Sequence, residues 1–303
     1  MSIKMNKLNK KRWLITGVAG FIGSNLADYL LSMDEYVIGV DNFFTGKIEN
    51  IKRLQKKYEE NFSFFEIDIL NSDKLENIVE NCDIVVHLAA QVSVIRSIDF
   101  PLETNNINSS GFVNLINIAS RTSIDTFIYA SSCAVYGNNK NLPLKENFLP
   151  SPKSPYAASK LSNEAYADGF SDMSKNMKIV GLRFFNIFGP WQDSSSGYAA
   201  VIPKWISTLV KGQVPIIYGD GSSTRDFCFV ENLCKAVYQI SNNNDLIGNN
   251  IFNIGSGTET RLDTLYEIIA KILLKNKLIK EYIKPVYMPL REGEILNSLS
   301  EIS

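Results

Sequence analysis

The chain has 303 residues, 45% of them hydrophobic and 21% charged, with 31 Lys and Arg against 32 Asp and Glu for a formal net charge of −1. That length holds one large α/β domain, or two unequal ones, with a substantial core. The balanced charge excludes a global basic field for nucleic acid or an anionic membrane surface, and no apolar run reaches the ~18 residues of a membrane span.

Along the chain, MSIKMNKLNKKRWLIT is basic but leads into a short apolar run, which reads as a first strand rather than a signal peptide. Strands are expected at RWLIT (12–16), YVIGV (36–40), FSFFEI (62–67), DIVVHL (83–88), TFIYAS (126–131) and KIVGLRFF (178–185). Helical patterns lie between them, as in FIGSNLADYLLSM (21–33) and NSSGFVNLINIAS (108–120). Continuous apolar strands alternating with helices predict an α/β fold, a doubly wound parallel sheet covered on both faces. After about residue 185 the alternation loosens into helical runs and Gly-, Ser- and Asp-rich loops, which predicts a smaller C-terminal region over the edge of the sheet.

The first strand runs into TGVAGFIGSN, where Gly17, Gly20 and Gly23 precede an apolar helix. Glycines let the turn approach a pyrophosphate, and a helix N-terminus supplies N–H donors and a positive dipole. Asp41 ends the second strand, 18 residues after Gly23. A carboxylate there accepts hydrogen bonds from the adenosine ribose diol and repels a 2′-phosphate, so NAD is expected rather than NADP. Asp68 follows the third strand and is expected at the adenine; as an isolated Asp it would equally serve as a cap or turn residue.

Other chemistry is thinly provided. His87 is the single histidine, so any His-based triad or metal site would have to pass through it; no metal is expected. It closes the run CDIVVHLAA and is expected at a strand end as a structural or cofactor-lining group. Cys82, Cys133, Cys228 and Cys234 form no Cys-x-x-Cys pair, which points to reduced thiols and a cytoplasmic location. The spacing Tyr-x-x-x-Lys occurs twice, at Tyr136/Lys140 and Tyr156/Lys160, where about one match is expected by chance. Tyr136 leads into GNNKNLP, a loop, whereas Tyr156 leads into AASKLSNEAYADGF, a helical run after a Ser-Pro start.

Taken in order, TGVAGFIGSNL, VDNFFTG, DIL, HLAAQVSV, SSCAVYG, SPYAASK, RFFNIFGP and GDGSSTRDF resemble the extended short-chain dehydrogenase/reductase superfamily, specifically its nucleotide-sugar 4-epimerases. The likeness is greatest to the branch acting on UDP-N-acetylhexosamines in surface-polysaccharide pathways. It implies a Rossmann-type NAD-binding domain over 1–183 plus about 229–258, and a UDP-sugar-binding region over 184–228 plus 259–303. It places NAD at Gly17, Gly20, Phe21, Ile22, Gly23, Asp41, Asn42, Asp68, Ile69, Ala89, Tyr156 and Lys160, with Ser132, Tyr156 and Lys160 catalytic. It also implies a homodimer through helices around 105–120 and 155–172, and a final helix beyond SLSEIS, where this sequence ends.

Inverting a carbon that bears a hydroxyl is best done by oxidation to a ketone and reduction from the other face, with NAD as transient hydride carrier. A base must take the hydroxyl proton and later return it. A free tyrosine titrates near ~10; Lys160 on the same helical face and the oxidised nicotinamide are expected to lower Tyr156, with Ser132 hydrogen-bonded to the same sugar oxygen. The 4,6-dehydratases of the superfamily carry an Asp-Glu pair where this chain has Cys133 and Ala134, which disfavours dehydration.

For the sugar nucleotide, the resemblance implies Arg225 and Arg291 at the diphosphate, Asn186 at diphosphate or sugar, Tyr218 on uracil, and Ser93, Val94 and Ser132 at the sugar. Ser298 falls where a tyrosine restricts glucose/galactose-only enzymes, so space for a 2-acetamido group is expected, and with it UDP-GlcNAc/UDP-GalNAc 4-epimerisation. UDP-glucose or UDP-glucuronate 4-epimerase, UDP-glucuronate decarboxylase and a non-catalytic NAD-binding module are the alternatives.

Overall fold

Residues 10–174, 177–194, 200–290 and 297–303 are described by the computed structural model. Strand β1 (Arg12–Thr16) is buried from Trp13 onward, which is why it reads as an unbroken apolar run rather than an alternating one. Helix α1 (Phe21–Ser32), β2 (Tyr36–Asp41), α2 (Ile48–Lys57), β3 (Phe62–Glu66), α3 (Ser72–Val79) and β4 (Ile84–His87) continue the alternation. Two short helices, α4 (Val94–Asp99) and α5 (Pro101–Asn105), pass through a π-turn at Asn106–Ser110 into α6 (Gly111–Ala119). Then follow β5 (Thr126–Ser132), a 3-10 turn at Cys133–Tyr136, the long α7 (Pro155–Met173) and β6 (Lys178–Phe184). The six expected strands therefore form, each within about a residue or two of its expected ends.

The remaining elements are β7 (Asn186–Phe188), α8 (Val201–Val210), β8 (Ile216–Tyr218), β9 (Thr224–Phe229), α9 (Val230–Asn242), β10 (Asn249–Ile254), β11 (Glu259–Arg261), α10 (Leu262–Lys275) and β12 (Val286–Met288). The main sheet has seven strands in the order β10-β6-β5-β4-β1-β2-β3, all parallel. Strand order reverses between β1 and β4, and a crevice opens there beyond the strand ends. One core, around Trp13, Leu26, Leu30 and Leu233, packs α1 and α9 on one face. A second, around Leu14, Phe112, Leu115 and Phe127, packs α3, α6 and α7 on the other. The Rossmann-like architecture is thus doubly wound. A third core, around Trp205, Leu209, Leu265 and Tyr266, joins α8 to α10 in the smaller C-terminal region. No helix among the described residues is long and apolar enough to cross a membrane.

The C-terminal segment is tied into this framework by one carboxylate. Asp226 in β9 is fully buried and accepts hydrogen bonds from Ser256 N and Oγ, both at 2.7 Å, from Gly257 N at 3.2 Å, and from Ser300 N at 3.0 Å and Ser300 Oγ. Leu144 brackets the same segment, its N donating to Leu299 O at 2.8 Å and its carbonyl accepting from Glu301 N at 2.9 Å. Asp226→Ala strands these donors in the interior. Urea unfolding is expected to show a loss of about 3 kcal/mol; a loss under about 1 kcal/mol would contradict this role for Asp226.

Candidate active site

A single cleft with a volume of about 800 Å³ runs from the β1–α1 turn across the ends of β4 and β5 to α8 and β8. At one end lies a backbone cradle. Gly17 has φ +74°, and a Cβ there would stand 2.8 Å from the Ala89 nitrogen; one on Gly23 would stand 2.2 Å from the Gly17 carbonyl oxygen. No larger residue fits either position without moving backbone. Helix α1 has no side-chain cap at Gly20, so its first-turn N–H groups at Phe21, Ile22 and Gly23 face the cleft without helical acceptors.

Two carboxylates shape the wall beside the cradle. Asp41 accepts from Ala19 N at 2.9 Å and Phe43 N at 2.8 Å. Burial raises its pKa, and these backbone donors oppose the rise. Asp68 accepts from Leu70 N and from the Asn42 amide, each at 2.8 Å, so it closes a turn and lines the cleft at once. Ile69 and Ala89 complete this end.

His87 ends β4, buried, its Nδ1 2.8 Å from Thr16 Oγ1. That oxygen accepts from Leu88 N and Ala89 N, leaving its single proton for Nδ1, which assigns the imidazole proton to Nε2. Burial, with the Lys160 ammonium nearby, pulls the imidazole pKa down to about 3, so His87 is neutral. It is a structural group at a strand end.

The three residues expected to be catalytic come together where α7 meets the end of β5. Ser154 caps α7 by accepting from Ala157 N at 3.1 Å, and Pro155 follows at the first helical position. Tyr156 lines the cleft beside Ser132, the last residue of β5, whose hydroxyl is near enough to favour the phenolate. Lys160 lies one turn on, 2% exposed, with Nζ donating to the Ala130 carbonyl at 2.9 Å. Burial pulls the Lys160 pKa down to about 8 and pushes the Tyr156 phenol up to about 12, against the nearby Ser132 hydroxyl, which lowers it. In the ligand-free chain loss of water around the phenol dominates, and the expectation that Lys160 lowers Tyr156 together with an oxidised nicotinamide concerns the cofactor-bound state.

The other Tyr-x-x-x-Lys match has no such setting. Tyr136 is fully buried, its hydroxyl donating to Asn253 Oδ1 at 2.7 Å, and the chain turns away at Gly137.

Toward the second end, Ser93, Val94, Ser132, Asn186, Tyr218 and Arg225 all line the cleft. Ser93 also caps α4, accepting from Arg96 N at 3.1 Å. Asn186 Nδ2 donates to Asp226 O at 3.0 Å and to Ser298 Oγ at 3.3 Å. Ser298 is 5% exposed and stands behind Asn186 rather than on the cleft wall, so whatever room it leaves acts through that amide. Arg291 lies outside the described residues. Apolar groups that the motifs did not point to, including Phe44, Val92, Trp205 and Ile216, form much of the remaining wall. Asn108, in the π-turn, binds the loop after β4 to α7: Gln91 N donates to its Oδ1 at 2.8 Å, and its Nδ2 donates to Gln91 O and Ser159 Oγ.

The NAD dependent epimerase/dehydratase family model matches residues 13–255. A putative UDP-glucose 4-epimerase of Methanocaldococcus jannaschii is 38% identical over 285 residues, 93% of this chain and 87% of that protein. The solved UDP-N-acetylglucosamine 4-epimerase from Methanobrevibacter ruminantium, in complex with UDP-N-acetylmuramic acid, superposes with a TM-score of 0.90 at 38% identity, over 98% of this chain and 91% of that one. A Thermus thermophilus UDP-glucose 4-epimerase in complex with NAD gives 0.82 at 28% identity, over 96% and 90%. The cradle fits such a dinucleotide. It offers uncapped helix N–H groups for a pyrophosphate and, at Asp41, an anion beside them that would repel a 2′-phosphate.

Lys160 gives a test without any ligand. Its folded pKa lies below the ordinary 10.5, so between about pH 8 and about pH 10 the unfolded chain binds more protons, and this group adds stability as pH rises. Relative to Lys160→Met, the ligand-free protein should gain on the order of 2 kcal/mol between pH 7 and about pH 10 in urea unfolding. Parallel pH curves for the two proteins would contradict burial of a charged ammonium.

Proposed function

The chain belongs to the NAD-dependent epimerase/dehydratase family, whose relatives here include UDP-sugar 4-epimerases, and on that premise we propose that it interconverts UDP-GlcNAc and UDP-GalNAc by inverting carbon 4 through a transient 4-keto sugar. The observation that carries this reading is the placing of Ser132 and Tyr156 side by side on the wall of one cleft, with a dinucleotide cradle at one end and Arg225 and Tyr218 at the other. A UDP-hexose laid between these ends brings its sugar to the Ser132–Tyr156 pair. Arg225 meets the diphosphate with a planar fork suited to phosphate oxygens, and Tyr218 packs on uracil.

NAD, when bound, supplies the hydride acceptor and donor and, in its oxidised form, a positive charge. The protein's residues manage the proton. Ser132 Oγ holds the sugar 4-hydroxyl against the Tyr156 oxygen. Tyr156 takes that proton as the ketone forms and returns it on reduction. Because burial raises the phenol, the Lys160 ammonium one turn along and the cofactor's positive charge must together favour phenolate for turnover at neutral pH. The rate should therefore rise with pH as the phenol ionises.

Small Ser298 behind Asn186 supports acceptance of a 2-acetamido group, and likeness to a UDP-glucose 4-epimerase supports a second activity on UDP-galactose. Exposed apolar side chains on α7, Tyr166 and Met173, support a homodimer through the helices around 105–120 and 155–172. Four free cysteines support a cytoplasmic location.

Purified protein incubated separately with UDP-GalNAc, UDP-galactose and UDP-glucuronate should form UDP-GlcNAc from the first; absence of that product would refute the proposed substrate. Tyr156→Phe should lower turnover about 10³-fold while NAD stays bound. Activity within about tenfold of the parent would remove Tyr156 from the proton-transfer role.

A further inference from the structure

Two consecutive residues at the end of β5 are held by α7, and the third stands beside it. The Ala130 carbonyl accepts from Lys160 Nζ at 2.9 Å, Ser131 Oγ donates to Glu164 Oε1 at 2.5 Å, and Ser132 stands beside the Tyr156 phenol. Tyr156, Lys160 and Glu164 recur every four residues, so one helical face carries all three. Ser132 and Tyr156 meet in the cleft. Ser131, the next residue along the pleat, turns its hydroxyl into the interior toward Glu164.

Glu164 is 5% exposed, does not line the cleft, and has no part in the chemistry above. Its partner is Arg183, 3% exposed, which stands beside Ser131 in the β5–β6 register. Arg183 Nε donates to Glu164 Oε1 at 2.9 Å and Nη2 to Oε2 at 2.7 Å. Arg183 is fixed in turn by the Glu146 carbonyl at 3.1 Å and by the Tyr136 ring, 4.7 Å from the guanidinium carbon to the ring centroid. Burying such a pair rarely adds stability over apolar side chains of the same volume, because desolvation offsets the attraction. What it does supply is a rigid, directional acceptor at one point on α7. Among the described residues, the one neutral hydroxyl bound to that carboxylate belongs to Ser131, next to Ser132.

We propose that Glu164 is a positioning residue: clamped by Arg183, it fixes Ser131 and, through the adjoining peptide, holds Ser132 Oγ at the Tyr156 phenol. This rests on the epimerase reading, since it assigns Glu164 to keeping two catalytic groups in register.

Ser131→Ala separates geometry from stability, because Glu164 keeps both bonds to Arg183. In NAD-loaded enzyme it should lower kcat about tenfold and leave KM for UDP-GalNAc within about threefold. Glu164→Gln should cost more in kcat. If that variant fails to fold, Ser131→Ala carries the test alone. The same proteins, labelled at tyrosine 13Cζ and free of sugar nucleotide, give a readout that needs no substrate. The Tyr156 resonance, assigned by its loss in Tyr156→Phe, should move in Ser131→Ala in the direction it moves in Ser132→Ala. A resonance that stays at its parent position, with kcat within about twofold of the parent, would overturn the proposal. Should the parent turn over no UDP-hexose, the epimerase reading falls, and the resonance still decides the role of Glu164.

Discussion

The Lys160 ammonium, 2% exposed and 2.9 Å from the Ala130 carbonyl oxygen, ties α7 to the end of β5 directly beneath Tyr156 and Ser132. With Lys160 seated there, the face of α7 that carries Tyr156 is set against Ser132. The same buried cation helps keep the neighbouring His87 neutral, so a single positive side chain stands beneath the cleft at this point. Desolvation works on both partners of the Tyr-x-x-x-Lys spacing in the same sense. Each neutral form is favoured, which leaves the phenol protonated until positive charge is brought close.

The two ends of the cleft are built by different means. At the cradle, backbone geometry does the work, through Gly17, Gly23 and the uncapped start of α1. At the opposite end, loops and short strands need side-chain ties. Asp226 gathers Ser256, Gly257 and Ser300 around one carboxylate, and Asn186 joins β7 to Ser298 in the terminal segment. The site therefore depends on the far C-terminal residues as well as on the main sheet.

Much of this was legible in the sequence, for physical reasons. Buried parallel strands leave continuous apolar runs, and the glycine turn has a spacing set by backbone contact, so six strands and the cradle could be read directly. Strand β10 was not among the expected strands. Its sequence, NNIFNI, is half asparagine, which strands disfavour, and it forms because β6 offers a ready edge. Glu164 and Arg183 were invisible for another reason. One reads as an ordinary polar residue in a helix and the other as a residue within KIVGLRFF, and only the fold brings them to 2.7 Å. The rise of the ligand-free Tyr156 phenol was also invisible, because helical spacing places a lysine nearby without revealing which carbonyl it binds or how much water the phenol loses.

In the proposed reaction carbon 4 is inverted by removing and returning its own hydrogen, with Tyr156 moving only the hydroxyl proton. UDP-GalNAc deuterated at carbon 4 tests it in ordinary water, with the product read by mass spectrometry and NMR. UDP-GlcNAc that keeps deuterium at carbon 4 is the expected product. Product carrying solvent hydrogen at that carbon would contradict it.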